Sequence, residues 1–261
     1  MRRQIAAVAV AALLLFAGCN GGTATTTPEN PMTTTPADGE PIYETPLDAS
    51  AVADAHVEAL RDAGTYTMQS NATQSRASQN TTIETSTLVR GDLSSGAVFT
   101  HSESRQGTVE AFAFGNGTAY RRLAMGDQIR YMQAGQRTGN ATQYARSSVQ
   151  TFVTLFNFTY AGTQSADGST VHVYEASGVE GLNTSAQAFA GRLNESMVEN
   201  ANATLHVRDD GVVTQANYNL TVSVGGQTQT LTATQQYTKL GETTVSPPEW
   251  IDEARANTTS Q

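Results

Sequence analysis

The run ATLHVRDDGVVTQANYNLTVSVGGQTQTLTA, residues 203–233, decides the fold. Asp210-Gly211 and Gly225-Gly226 divide it into three segments. Such dipeptides supply the positive φ that tight hairpins need. Placing Asp209 opposite Val212 sets Leu205 against Ala216 and Ala203 against Tyr218. Placing Val224 opposite Gln227 sets Leu220 against Leu231 and Tyr218 against Ala233. Both turns independently assign Ala216, Tyr218, Leu220, Val222 and Val224 to one apolar face. Gln215, Asn217, Asn219, Thr221 and Ser223 fall on the other. Side chains alternate along a strand, so a slip of one residue would invert both assignments. The segment reads as a three-stranded antiparallel meander with one dry and one wet face.

Upstream, Tyr66–Thr73, Thr82–Leu93, Ala97–Arg105, Thr108–Phe114, Thr118–Met125, Gln128–Gln133 and Thr170–Ala176 have strand composition, and glycines punctuate several of the breaks. Three helices are predicted. The first follows an Asp48 N-cap, carries a Leu47/Val52 staple and stops at Gly64. The second covers about Thr142–Phe156, with Val149, Phe152, Val153 and Phe156 on one face. The third covers about Ser185–Glu199, with a Thr184/Gln187 capping box and a stripe through Phe189, Leu193 and Met197.

Roughly ten strands at ~4.8 Å make a flat sheet ~45–50 Å wide, which three helices ~10 Å thick do not cover. The predicted fold class is therefore α+β: a large curled antiparallel sheet, a half-open barrel, wrapped around about three helices. Such a sheet leaves a concave groove. Its candidate lining is Phe152, Phe156, Phe189, Leu193, Tyr218, Leu220 and Leu231. Trp250, the sole tryptophan, is expected to dock at the sheet edge after Pro247-Pro248.

This layout and the closing segments YTKLGE (237–242) and VSPPEW (245–250) resemble the bacterial lipoprotein-carrier family, the LolA and LprG-like half-barrels, over Leu47–Trp250. The whole chain is similar to a haloarchaeal surface-lipoprotein family of unknown function, as its ending and Thr-rich leader suggest. The resemblance implies a binder or carrier of a lipid or other hydrophobic ligand. The rival expectation is a structural or interaction module of the cell surface with a filled core and no ligand.

The N-terminus reads as an address. An apolar run, Ile5–Ala17, follows Arg2 and Arg3 and ends at LLLFAGC, residues 13–19. A basic start, a short apolar core and small residues before a cut are the anatomy of a secretory signal. The run is shorter than the ~20 apolar residues that span a bilayer. The end resembles a lipobox, with Phe16 where leucine is usual. That resemblance implies cleavage after residue 18 and a lipid on Cys19. The domain expectation is a signal at 1–18, a lipidated tether at 19–46, one globular domain at 47–250 and a flexible tail at 251–261. The Thr/Pro-rich tether holds too little apolar surface to fold. The expected location is the extracellular face of the membrane, lipid-anchored, with the export route, Sec or Tat, left open.

Composition narrows the partners. The 261 residues carry a formal net charge of −9, and Lys239 is the only lysine among 15 basic residues. An acidic, lysine-poor chain resembles haloarchaeal exported proteins and argues against nucleic acid or anionic phosphate partners. The membrane, through the lipid on Cys19, is one expected partner and a hydrophobic ligand another; no feature names a protein partner. Cys19 is the only cysteine, so no intrachain disulfide is available.

Asparagine carries the densest local signal. Ten of fourteen asparagines stand in N-x-[ST] sequons: Asn71, Asn80, Asn116, Asn140, Asn157, Asn183, Asn194, Asn202, Asn219 and Asn257. Ser and Thr make up about a fifth of the chain, so random placement gives about three. All but Asn157, which is expected to be buried between Phe156 and Phe158, are candidate N-glycosylation sites. Chemistry has no comparable signal. His56, His101, His172 and His206 show no metal-ligand spacing, and Asp209-Asp210-Gly211 reads as a turn rather than a calcium loop. G-x-S-x-G, H-E-x-x-H and P-loop motifs are absent. The expectation is a protein without catalysis, metal or cofactor.

Overall fold

The computed structural model describes residues 39–76, 81–134, 139–166, 168–189 and 193–258. The expected signal segment, Cys19, most of the expected tether, Asn80 and residues 259–261 lie outside them. Among the described residues, eleven strands form one antiparallel sheet. The first meander is β1 (Thr65–Arg76), β2 (Thr81–Asp92), β3 (Val98–Ser104), β4 (Gly107–Ala113), β5 (Ala119–Met125) and β6 (Gln128–Ala134). The second is β7 (Thr159–Ala166), β8 (Ser169–Ser177), β9 (Val198–Arg208), β10 (Val213–Val224) and β11 (Gln227–Thr238). The spatial order is β6-β5-β4-β3-β2-β1-β11-β10-β9-β8-β7. β1 and β11 join the two halves, from Thr67 opposite Thr238 to Arg76 opposite Gln229. The sheet is open, with β6 and β7 as its edges.

Two helices fill the inner side. α1 (Ala49–Ala63) begins where predicted: the Asp48 carboxylate accepts from the Ser50 and Ala51 amides, and Gly64 ends it at φ +82°. α2 (Ala141–Leu155) starts in a capping box between Asn140 and Gln143. The two run antiparallel, tied by Arg146 to Asp54 at 2.7 Å and Gln150 to Ser50 at 3.1 Å. α2 also connects the two sheet edges. A flat eleven-strand sheet is ~48 Å wide, whereas a fifteen-residue helix reaches ~22 Å. Flat, the linkers on both sides would have to be almost fully extended. The curl brings α2's first amide to the Gly96 carbonyl, and Phe156, just past its end, bridges Leu182.

The predicted register of the second meander holds in its body: Leu205 faces Ala216, Ala203 faces Tyr218, and Leu220 faces Leu231. The turn differs. The Arg208 amide donates to the Val212 carbonyl, so the loop is Asp209-Asp210-Gly211. Gly211 sits at φ +89°, and a bulge between Val213 and Gln215 absorbs the extra residue. The Asp210 carboxylate favours this three-residue turn by accepting from the Val212 amide and pairing with Arg208.

Three expectations are corrected. The third predicted helix does not form. Gln187–Phe189 and Glu195–Met197 are single 3₁₀ turns, and β9 begins at Val198. Ser185 and Ser196 hydroxyls bond to Asn183 and Asn194 two residues back, a local alternative to helix. The tail is not loose: α3 (Ile251–Thr258) packs on the outer face of β5 and β6. Trp250 stacks on Tyr131 of the edge strand β6, and Tyr131 donates to Glu253. Finally, the end of the expected tether, residues 39–46, is docked. The Tyr43 amide donates to the Tyr174 hydroxyl at 2.9 Å, which in turn donates to the Tyr43 carbonyl.

One glycine sets the inner packing. A Cβ on Gly91 would lie 2.3 Å from the Tyr66 ring, which crosses that residue so that its hydroxyl reaches the Ala141 carbonyl at 2.9 Å. Gly91→Ala is expected to destabilise the domain by about 1–3 kcal/mol through overpacking. An unchanged denaturation midpoint would contradict this role for the Tyr66 ring.

Candidate ligand-binding face

The seven residues expected to line a groove are core instead. Phe152, Phe156, Phe189, Leu193, Tyr218, Leu220 and Leu231 are all buried in one hydrophobic cluster. Phe152 meets Phe156 at 5.6 Å, Phe158 at 5.8 Å and Tyr218 at 6.4 Å between ring centroids. Burial pushes the Tyr218 hydroxyl up to about 12. Periodicity marked these side chains correctly as buried; α1, α2 and the side chains of Leu182, Ala186, Phe189 and Leu193 occupy the space a ligand would have taken.

The inner face continues past the helices. Following the registers outward from β1, one inner row runs Met68, Val89, Thr100, Ala111, Arg121, Met132. The next runs Ser70, Thr87, Ser102, Val109, Leu123, Arg130. Both begin in buried side chains and end in exposed ones on β5 and β6. Met132 is 40 % exposed, Met125 is 45 % and Ile83, on the inner face of β2, is 42 %. Val109 and Leu123, opposite each other on β4 and β5 beside the two methionines, are half-buried. Arg121 and Arg130 flank this apolar patch, each directly opposite one of its members. Nearer the seam, Thr85, Thr87 and Ser102 are buried, and the Thr87 and Ser102 hydroxyls bond at 3.2 Å. Sequence reasoning missed this half because β5 and β6 alternate imperfectly and carry few aromatic residues.

The outer face has a half-open pocket. About 510 Å³ lies at one end of β8–β11, lined by Val171, His206, Arg208, Gln236, Lys239 and Glu242, among others. Its lining is evenly mixed in polarity. A shallower recess of about 480 Å³ is lined by Thr184, Ser185, Leu193, Asn194, Glu195 and Ser196.

The sequence matches one family model over residues 4–254, described as a family of unknown function, DUF7537. The chain belongs to DUF7537. No curated protein matches the chain. Among solved structures it is similar to a chain of the MucA/MucB complex of Pseudomonas aeruginosa, at 16 % identity over 79 % of this chain and 60 % of that one, with a TM-score of 0.33. The chain thus spans less than two thirds of that chain's length. It is also similar to a LolA-superfamily protein from Nitrosomonas europaea, at 10 % identity over 78 % and 97 % of the two chains, TM-score 0.28. A third is a putative outer membrane lipoprotein-sorting protein domain from Vibrio parahaemolyticus, at 8 % identity over 78 % and 98 %, TM-score 0.26.

In this DUF7537 chain the four histidines are scattered. His101 lies between Glu103 and Glu110 on the outer face, both at 3.2 Å. His172 contacts Asp209 at 2.8 Å and the Tyr160 hydroxyl at 3.3 Å. His206 accepts from the Gln164 amide through Nδ1, and burial lowers its pKa. Among the described residues no group of His, Cys, Asp and Glu is arranged to hold a metal, and no helix is long and apolar enough to cross a membrane. The sequon asparagines in the described residues are exposed, except for half-buried Asn183. Asn157 is exposed too, contrary to expectation, because its side chain turns out to hold the Glu180 carbonyl.

His56, on the buried side of α1, accepts from the Val213 amide through Nδ1 at 3.1 Å. Its Nε2 therefore carries the proton, and it finds no hydrogen-bond partner among the described residues. The ring meets Tyr237 edge-on at 4.4 Å. Burial drives the His56 pKa down to about 3. An unfolded histidine titrates near 6.5. Between these values the unfolded chain binds a proton that the folded chain refuses, so stability falls as pH falls. The limiting slope is ~1.4 kcal/mol per pH unit from this one group. His206, lowered for the same reason, adds in the same direction. His56→Gln, which keeps an acceptor for Val213, is expected to flatten the decline in denaturation free energy between pH 6.5 and 4.5. An equally steep decline in that variant would remove His56 as its source.

Proposed function

We propose that this chain is an exported, lipid-anchored protein of the cell envelope. It holds one hydrophobic chain, of a lipid or similar molecule, on the open half of its concave face and performs no catalysis. The observation that carries this reading is the apolar patch left outside the helix-covered core. Met125 and Met132 are exposed on the same side of the sheet as half-buried Val109 and Leu123. Exposed contiguous apolar surface of this kind marks an interaction site. Methionine suits a site that accommodates flexible chains, because its thioether side chain adapts to irregular shapes. The LLLFAGC segment supports anchoring: a lipid on Cys19 and a Thr/Pro tether place the domain near the membrane that supplies such molecules. The rival reading, an interaction module with a filled core, is favoured by the burial of all seven expected groove residues. It differs in leaving the open patch for a protein surface.

The deciding measurement is native mass spectrometry of the protein from its own host in high salt, carrying Cys19→Ser so that no covalent lipid contributes mass. The expected result is a discrete hydrophobic adduct that is lost on denaturation. Leu123→Asp with Met132→Asp should lower its occupancy at least tenfold. Phe152→Ala should instead cost about 3–5 kcal/mol of stability and leave the adduct in place. An apo mass, or an adduct insensitive to the Asp pair, moves the assignment to the interaction module. In the same cells Cys19→Ser should shift the protein from the membrane to the soluble fraction; retention at the membrane would overturn the anchor.

A further inference from the structure

The middle of the outer face of the four strands β9, β10, β11 and β1 is chemically uniform, between Arg208 at one end and Glu199, which accepts from the Thr228 hydroxyl, at the other. It presents Asn200, Asn202 and Thr204 on β9, with Asn217, Asn219 and Thr221 on β10. Thr230, Thr232, Thr234 and Gln236 continue it on β11, and Gln69, Asn71 and Thr73 complete it on β1. This stretch, four strands wide, carries neither a charge nor a large apolar side chain, in a protein whose net charge is −9. Charges resume on either side, at Glu84 and Arg90 on β2 and Glu175 on β8. Nothing apolar here calls for a protein cover. Hydroxyls and amides instead match the hydrogen-bonding of sugar.

Three sequon asparagines stand on this face. Along a strand, positions i and i+2 share a side, so N-x-T places the asparagine and its threonine together in solvent. Most other described sequon asparagines already have local work. Asn140 caps α2, and the Asn116 carbonyl accepts from the Thr118 amide. Asn194 accepts from Ser196, and the Asn257 amide donates to Glu253. Asn157 and Asn183 lock the corner after α2: their Nδ2 groups donate to the Glu180 carbonyl at 2.7 Å and the Thr154 carbonyl at 2.9 Å. Asn71 and Asn219 are exposed and hold no side-chain hydrogen bond among the described residues. Asn202 lies directly opposite Asn219, and its Nδ2 is given to Asn200 at 3.0 Å. Opposed residues stand ~4.5–5.5 Å apart, too close for two core sugars side by side.

We propose that the outer face of β9–β10–β11–β1 is a glycan-bearing face, N-glycosylated at Asn71 and Asn219, with Asn202 excluded while Asn219 is occupied and with Asn157 and Asn183 bare. The donor is a sugar linked through C1 to a polyprenyl phosphate or diphosphate, transferred by a membrane enzyme of the host. The Nδ2–C1 bond forms as the C1–O bond to phosphate breaks. The lipid phosphate leaves with the electron pair, and Nδ2 loses one proton. The glycans then lie over a face already suited to them and leave the inner face free.

The test is glycopeptide mapping, by mass spectrometry, of the full-length protein purified from its own host. The expected pattern is sugar on the peptides of Asn71 and Asn219, and occupancy below a tenth at Asn157 and Asn183. Asn219→Gln and Thr221→Ala each destroy one sequon by a different change. Each should remove the sugar from the Asn219 peptide and raise occupancy at Asn202. Because the wild-type map alone is decisive, poor folding of a variant does not rescue the proposal. Bare Asn71 and Asn219, full sugar at Asn157 or Asn183, or joint occupancy of Asn202 and Asn219 on one molecule would overturn it.

Discussion

The pairing of β1 with β11 is the constraint on which the rest depends. Every other neighbouring pair of strands follows directly in sequence, apart from β8 and β9 with their longer connection. The β1–β11 seam alone joins residues as far apart as Thr67 and Thr238. Closing so long a loop costs chain entropy that no disulfide offsets here. Packing on both faces of the seam does so instead. On the inner side Tyr237 of β11 is buried against His56 of α1, bonded to Ser148 of α2 and near Tyr66 of β1. On the outer side the Thr67 hydroxyl meets that of Thr243, and the Thr243 amide donates to Thr65, so the chain leaving β11 is fastened across the start of β1.

That clamp also explains why the inner face is covered unevenly. α2 is tethered at its start to Gly96 and Tyr66, and the chain at its end to Leu182, so it lies over the seam and the second meander. A helix of its length reaches no farther. Among the described residues no helix covers the inner side of β4–β6, while the outer side of the same strands receives α3 and Trp250. The buried Phe112 belongs to that outer layer, against Phe114, over which Arg255 lies at 5.3 Å. The β6 edge of the sheet is thus held from outside, which leaves its concave side as exposed apolar surface.

Much of the sheet was legible because turn dipeptides and alternation are local signals. The meander body followed from Gly225-Gly226 and the alternation in 212–224. The first turn did not, because Asp209-Asp210-Gly211 supports either a two- or a three-residue loop, and only the Arg208–Asp210 pair and the bulge decide between them. β7 was missed although Asp167-Gly168 is a hairpin signal; the bulge between Tyr160 and Gly162 breaks its alternation. The third helix was over-read: Phe189 and Leu193 are buried, as a helical stripe would have them, but from 3₁₀ turns and loop. α3 buries only Ile251 and Ala254, too short a stripe to see. For the candidate site the limit is more basic. An apolar period says that a side chain leaves water, not whether protein or ligand receives it, so Phe152 and Tyr218 were placed in a groove that the helices fill.

The two faces of β10 connect fold to function through parity alone. Tyr218 and Leu220 are buried inside, while Asn219, between them in sequence, stands in solvent outside. A slip of one residue against β9 or β11 would put Asn217 and Asn219 into the hydrocarbon core and expose the aromatic ring. Register is therefore protected redundantly. The Gly225-Gly226 hairpin sets it from one end and the Asp209–Gly211 turn from the other. The two bulges, near Thr214 and beside Val222, lie toward the ends of the β9–β10 ladder, outside the stretch from Ala216 to Leu220. Irregularity is confined to where parity does not matter. The same register that gives the domain its core thus also keeps an uncharged outer face and an apolar inner face on opposite sides of a single layer of backbone.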